Sequence, residues 1–155
     1  MREDHLYILE AIKSRIASHG LKSGEVIVVC DDLHNQKGDI KEIVVTFLRD
    51  NSINTKPSVF EIIEISKDEA LKSIKYGLST KPNYTAIEQE FSTSDQNELT
   101  FSFLQLFDKP KFYSLDSRIY KTDLDKTDFW ESGGAIAIDK ERIGIFWTNE
   151  LYDKF

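Results

Sequence analysis

The chain has one cysteine, no cluster of basic residues and no long apolar run, and each shortage removes a class of protein. A single Cys30 cannot form an intramolecular disulfide. It lies inside the apolar run Val26-Ile27-Val28-Val29-Cys30, so it reads as a buried small hydrophobe rather than a reactive thiol. No apolar stretch approaches the roughly 20 residues that a membrane-spanning helix needs, and no membrane partner is expected. Met1-Arg2-Glu3-Asp4 leads into an amphipathic stretch, not into the short apolar core of a signal peptide. A reducing, cytoplasmic location is the expectation. Nonspecific nucleic-acid binding requires clustered Lys and Arg that displace counterions. The 20 Lys and Arg form no such cluster, so no nucleic-acid partner is expected.

Catalytic signatures are absent as well. There is no Gly-x-Ser-x-Gly, no phosphate-cradling glycine loop and no HExxH. His5 and His19 stand at opposite ends of the first predicted helix. Neither has a Cys or His at ligand spacing, which argues against zinc. Asp123, Asp125 and Asp128 begin like a calcium loop. Its sixth and twelfth positions should be Gly and Glu, but they are Asp128 and Gly134, so a solvated loop is expected. Gly133-Gly134 precedes no helix start and reads as a turn or bulge. No metal or cofactor is expected.

What the chain does have is 155 residues, 40% of them apolar and 30% charged, with a net charge of −7. That describes one globular domain, 1–155, able to bury roughly two thirds of its unfolded surface. Ten Phe, six Tyr and two Trp are enough large rings to furnish a core, an interface or both.

Hydrophobic spacing predicts the elements. Ile8, Leu9, Ile12 and Ile16 give a helix over about Asp4–Ser18, stopped by Gly20. Glu25–Cys30 reads as a buried strand. Asp39–Asp50 is the clearest helix, with Asp39 as N-cap and Glu42 three residues on. Asn51–Ser58 reads as a polar loop and Val59–Ile65 as a second strand. Ser66-Lys67-Asp68-Glu69 opens a third helix that Gly77 ends. Strand, helix and strand over residues 25–65 form a βαβ-like unit, which favours a parallel crossover.

The second half is less legible. Thr85–Phe91 fits a short helix. Leu99–Phe107 fits both periods, and its Phe and Thr content leans to strand. Phe112–Tyr120 reads as a strand. Gly134–Ile138 and Ile143–Trp147 flank Asp139-Lys140-Glu141-Arg142 as a hairpin with a four-residue turn. The expected class is α+β: a single domain whose central mixed sheet carries an N-terminal helix, the βαβ-like unit and a C-terminal antiparallel hairpin.

Asp31-Asp32 and His34 follow the first strand, where ligands gather in open α/β sheets. Two carboxylates there suit a hard cation such as Mg²⁺, and His34 suits an acid or base. Val26 to Asp32 resembles the first strand of a receiver domain, an apolar run closing on acids. The likeness covers those residues alone: the next strand ends at Ile65-Ser66 without an acceptor aspartate, and a helix precedes the first strand. Asp31, Asp32, Asn35 and Gly38 also read as turn formers ahead of a capped helix.

The stretch that stands out is Pro82 to Asp108. It holds no Lys or Arg, and its acids are Glu88, Glu90, Asp95, Glu98 and Asp108. Tyr84, Phe91, Phe101 and Phe103 interleave with them. An acidic surface with embedded rings suits a basic protein partner, and Tyr84, Glu88, Glu90, Asp95 and Glu98 are the expected contacts. A solvated helix face beside buried Phe residues is the plainer alternative. Three functions follow: an acidic, non-enzymatic inhibitor of a basic protein, such as an immunity protein against a toxin nuclease; a small enzyme with a possibly metal-dependent site at Asp31, Asp32 and His34; or an oligomerisation module with Ile145, Phe146 and Trp147 on an exposed edge.

Overall fold

The run from Val26 to Cys30 is apolar throughout because its strand is covered on both faces. In the computed structural model, which describes residues 2–19, 24–34, 38–59, 61–79, 91–121 and 127–153, strand β1 spans Gly24–Asp32. Its Val28 and Cys30 enter one core cluster and its Ile27 a second. Strand side chains alternate with a period of two, so a strand buried on both sides must be apolar at every position. Strand β7 (Arg142–Asp153) repeats the arrangement, with Phe146 in the first cluster and Ile143, Ile145 and Trp147 in the second.

The remaining elements are α1 (Glu3–His19), α2 (Ile40–Asp50), β2 (Asn54–Lys56), β3 (Ile62–Ile65), α3 (Lys67–Leu78), α4 (Thr93–Leu104), β4 (Lys111–Leu115), β5 (Arg118–Tyr120) and β6 (Thr127–Ile138). Five strands pair in the order β1-β7-β6-β4-β3, and β2 pairs with β5 in a separate ribbon. Helices α1, α3 and α4 cover one face through Leu9, Ile12, Ile74, Leu78, Leu99 and Phe103. Helix α2 and the ribbon cover the other through Val44, Phe47, Leu48 and Ile119.

The α+β class, the N-terminal helix and the C-terminal hairpin agree with the sequence reading. The sheet itself differs in one respect. All of its described pairings are antiparallel. Counting directions across it, β1 and β3 run the same way, yet they lie at opposite edges with three strands between them. The βαβ-like stretch therefore spans the sheet instead of making an adjacent parallel pair.

Helix ends follow the expected chemistry. The Asp39 side chain accepts from the Glu42 N–H at 2.8 Å. At α3 the box is reciprocal: Glu69 N–H donates to Ser66 Oγ at 3.1 Å, and Ser66 N–H donates to Glu69 Oε1 at 3.2 Å.

Other expectations are corrected as well. Residues 99–104 belong to helix α4, not to a strand. Ser92 caps it by accepting from Asp95 N–H, and Gln96, Leu99, Thr100 and Phe103 form its buried stripe at helical spacing. Strand propensity lost to a cap and a core-facing stripe. Within the expected loop Asn51–Ser58, Asn54–Lys56 pairs with β5 as a strand. Ile145, Phe146 and Trp147 form no exposed edge: β7 lies between β1 and β6, and all three side chains are buried. Gly133-Gly134 is no turn, since both residues lie within β6 opposite Thr148 and Trp147. The helix expected over Thr85–Phe91 falls almost wholly outside the described residues, as do Asp123 and Asp125.

Gly77 does not stop α3 but sits in its last turn, and the reason lies across the interface. A Cβ on Gly77 would stand 2.8 Å from the Gly133 carbonyl oxygen. A Cβ on Gly133 would stand 2.7 Å from Gly77 N and 2.9 Å from Gly77 Cα. Helix and strand thus meet backbone to backbone, and Ser73 Oγ accepts the Gly134 N–H at 3.0 Å beside the contact. Gly133→Ala is expected to destabilise the fold by about 1–3 kcal/mol through overpacking, read as a lower urea midpoint. Gly38→Ala meets only the flexible side chain of Glu42 and is expected to leave the midpoint nearly unchanged. Equal effects of the two would contradict the backbone contact.

Candidate functional site

Strand alternation separates the acidic pair at the end of β1. Asp31 points to the α2 face, where its Oδ2 accepts the Asn51 side-chain amide at 2.8 Å. Asn51 is the C-cap of α2, so Asp31 ties the strand end to the helix end. Asp32 points to the opposite face and is the register partner of Arg142. His34 is exposed in the following turn, with φ 50°. The structure does not gather these three side chains about one point, and the described residues contain no group of three metal-ligating side chains.

The acidic window is placed only in part. Tyr84, Glu88 and Glu90 lie outside the described residues. Asp95 and Glu98 stand on the first turns of α4, where the sequence expectation put both within a partner-binding face. Arg15, arriving from α1, reaches both: its guanidinium bonds Asp95 and, at 2.8 Å, Glu98. Two carboxylates thus face one cation. On the solvent side of α4, Ser94, Glu98, Phe101 and Gln105 recur at helical spacing and are all exposed. Phe101 is 63% exposed.

Two buried polar centres went unread in the sequence. The first is Asn149, fully buried in β7. Its amide donates to Glu25 Oε1 at 2.8 Å and to the Ile119 carbonyl at 2.7 Å. Its oxygen accepts from Trp147 Nε1 at 3.1 Å and Ser132 Oγ at 2.8 Å. Two donors and two acceptor sites are the whole capacity of an amide, so this group is saturated and structural. Glu25 also accepts the Lys121 N–H, which fastens the β2–β5 ribbon to the main sheet.

The second centre is Arg142, 5% exposed at the start of β7. Its Nε donates to the Leu106 carbonyl at 2.6 Å. Its two outer nitrogens have only long carboxylate contacts among the described residues: Nη1 to Glu141 at 3.5 Å and Nη2 to Asp139 at 3.8 Å. The Asp139 carboxylate is engaged elsewhere, accepting the backbone N–H groups of Asp108, Glu141 and Arg142. In the sequence these residues read only as a hairpin turn. Nothing in a Lys-Glu-Arg run distinguishes an inward arginine from a solvated one.

His5, 4% exposed, lies within electrostatic range of Arg142. Arg2 donates to its Nε2 at 3.3 Å. The neutral ring then carries its proton on Nδ1, which has no hydrogen-bond partner among the described residues. Cys30 is buried in the first core cluster, and desolvation pushes its thiol up to about 12, which keeps it protonated and inert at neutral pH.

The chain matches no protein-family model, no curated protein and no solved structure. Among the described residues, no helix is long and apolar enough to cross a membrane.

Burial first, and then the field of Arg142, lower the His5 pKa below 6.5. The unfolded chain then binds more protons than the folded one as pH falls below that value. The stabilising contribution is complete above 6.5 and is lost as pH falls through the folded pKa. In urea titrations at about pH 7.5 and about pH 5, His5→Gln is expected to reduce the acid-induced loss of stability relative to wild type. Identical losses in both proteins would show that His5 stays outside the linkage.

Proposed function

We propose that this protein is a non-enzymatic, acidic binding protein that neutralises a basic protein partner, in the manner of an immunity protein covering the active site of a toxin nuclease. The observation that carries this reading is the solvent face of α4, where an exposed Phe101 stands one helical turn from Glu98. The stretch from Pro82 to Asp108 contributes five acids and no Lys or Arg. Arg15 bonds both Asp95 and Glu98 and so orients them. Charges held in place attract and align a partner at low ordering cost, and an exposed ring supplies contact area on arrival. Tyr84, Glu88 and Glu90 complete the proposed contact set from the same window. The metal-dependent reading at Asp31, Asp32 and His34 has no comparable support, because alternation along β1 directs its two carboxylates to opposite faces.

The test is to capture the partner of the native protein and follow association by surface plasmon resonance across a salt series. A basic partner is expected, with an association rate that falls steeply as salt rises. Phe101→Ala is expected to weaken the complex by about 2 kcal/mol, the scale of an aromatic hot spot, with its urea midpoint unchanged. An association rate indifferent to salt, together with full binding by Phe101→Ala and Glu98→Lys, would overturn the proposal.

A further inference from the structure

A buried guanidinium ordinarily faces a carboxylate at close range, because the charge loses its hydration on burial. Arg142 meets that expectation only at long range, its Nη2 standing 3.8 Å from the equally buried Asp139 carboxylate. Among the described residues only Nε has a short partner, the Leu106 carbonyl, and the carboxylate contacts of Nη1 and Nη2 are 3.5 Å and 3.8 Å long. Glu141, the nearer of the two, has a side chain 76% exposed and free to swing into water. Asp139 is held by three backbone N–H groups.

Arg142 opens onto a cleft of 460 Å³ at the tip of the β6–β7 hairpin. Arg2, Lys109 and Lys140 line the same cleft, so four cations meet the three carboxylates of Asp108, Asp139 and Glu141. In a chain of net charge −7, that is a local reversal of sign. Lys109 is held beside the cleft by a left-handed backbone, φ 50°, which non-glycine residues adopt only at a cost of about 1 kcal/mol or more. The cleft arises where three parts of the chain converge: Arg2 ahead of α1, Asp108 and Lys109 after α4, and the hairpin turn.

The geometry points to an anion-binding site at this cleft, in which the outer nitrogens of Arg142 hold an anionic oxygen group, carboxylate or phosphate, of a small molecule. A planar guanidinium presents paired donors that match two oxygens of either group. Arg2, Lys109 and Lys140 supply the remaining positive charge at the rim. The volume exceeds that of a lone ion, which leaves room for a small organic body behind the anionic group. This site lies apart from the α4 surface of the proposed function and stands or falls independently of it.

Inorganic phosphate and, separately, succinate are titrated into the intact protein at constant ionic strength, with chloride as the control. Binding is followed by amide NMR shifts and by melting temperature. Saturable shifts are expected at Asp108, Lys109 and residues 139–142 with at least one probe, and the preferred probe identifies the group. Arg142→Gln is expected to abolish them. Because that variant also removes the buried bond to Leu106, Lys109→Ala/Lys140→Ala, altered only at exposed positions, serves alongside it. The double variant is expected to keep the wild-type melting temperature without ligand and to lose about tenfold in affinity. No saturable response to either probe would overturn the site, as would saturable binding that the double variant leaves unchanged.

Discussion

Two glycines set the distance between the helical layer and the sheet. Gly77 of α3 and Gly133 of β6 touch through their backbones, with no room for a methyl group on either. Around them the sheet stays small, with Ala135 and Ala137 continuing the α3-facing side of β6. The close approach lets Ala70, Ile74 and Leu78 reach the sheet directly, while Phe103 and Phe146 fill the wider space under α4 with an edge-to-face contact at 5.6 Å. A protein interior tolerates neither voids nor overlap, so the spacing fixed at one glycine pair propagates to the volume required of every neighbour.

Polar groups play two opposed parts inside this frame. Asn149 is satisfied on all four sides and joins β7, β6, β1 and the ribbon into one unit. It behaves as a structural pin, since a saturated amide has nothing left to offer a ligand. Near the other end of β7, His5 Nδ1 has no hydrogen-bond partner among the described residues, and the outer nitrogens of Arg142 meet carboxylates only at 3.5 Å and 3.8 Å. The contrast matters because buried polar groups are normally paired, and those that are not call for an explanation. On the surface the Arg15 clamp on Asp95 and Glu98 joins α1 to α4, so the same acids that could meet a partner also hold two helices together.

Local signals were readable and distant ones were not. Helix α2 announces itself through Val44, Phe47 and Leu48 at helical spacing and the Asp39 cap. Helix α3 does so through the Ser66–Glu69 box. The N-terminal helix and the terminal hairpin follow from the same kind of pattern. Helix α4 defeats the reading because Thr100, Phe101 and Phe103 favour strands, and only the cap at Ser92 and the buried partners of Gln96 and Leu99 decide otherwise. Gly77 and Gly133 look like punctuation until their contact is seen. Asp31 and Asp32 point to opposite faces for a reason the sequence already contained, since adjacent strand residues alternate. Arg142 was illegible, because its burial depends on Leu106 and Asp139 arriving from other segments.

The strand order carries a consequence for how the chain reaches its fold. The described sheet gives β1 one neighbour, β7, which pairs Val28 with Phe146. A strand formed near the start of the chain must therefore wait for one formed near the end. Contacts so distant in sequence close large loops before they return any stabilisation, which slows folding. During synthesis Val26 to Cys30 emerges long before its partner, an apolar β-prone run of the kind that other chains can capture. Helix α1, whose Leu9 and Ile12 pack in the same cluster as Val28 and Cys30, is the element nearest to that run in sequence. The helix that precedes β1 thus supplies contacts close in sequence to a strand whose described sheet partner is distant.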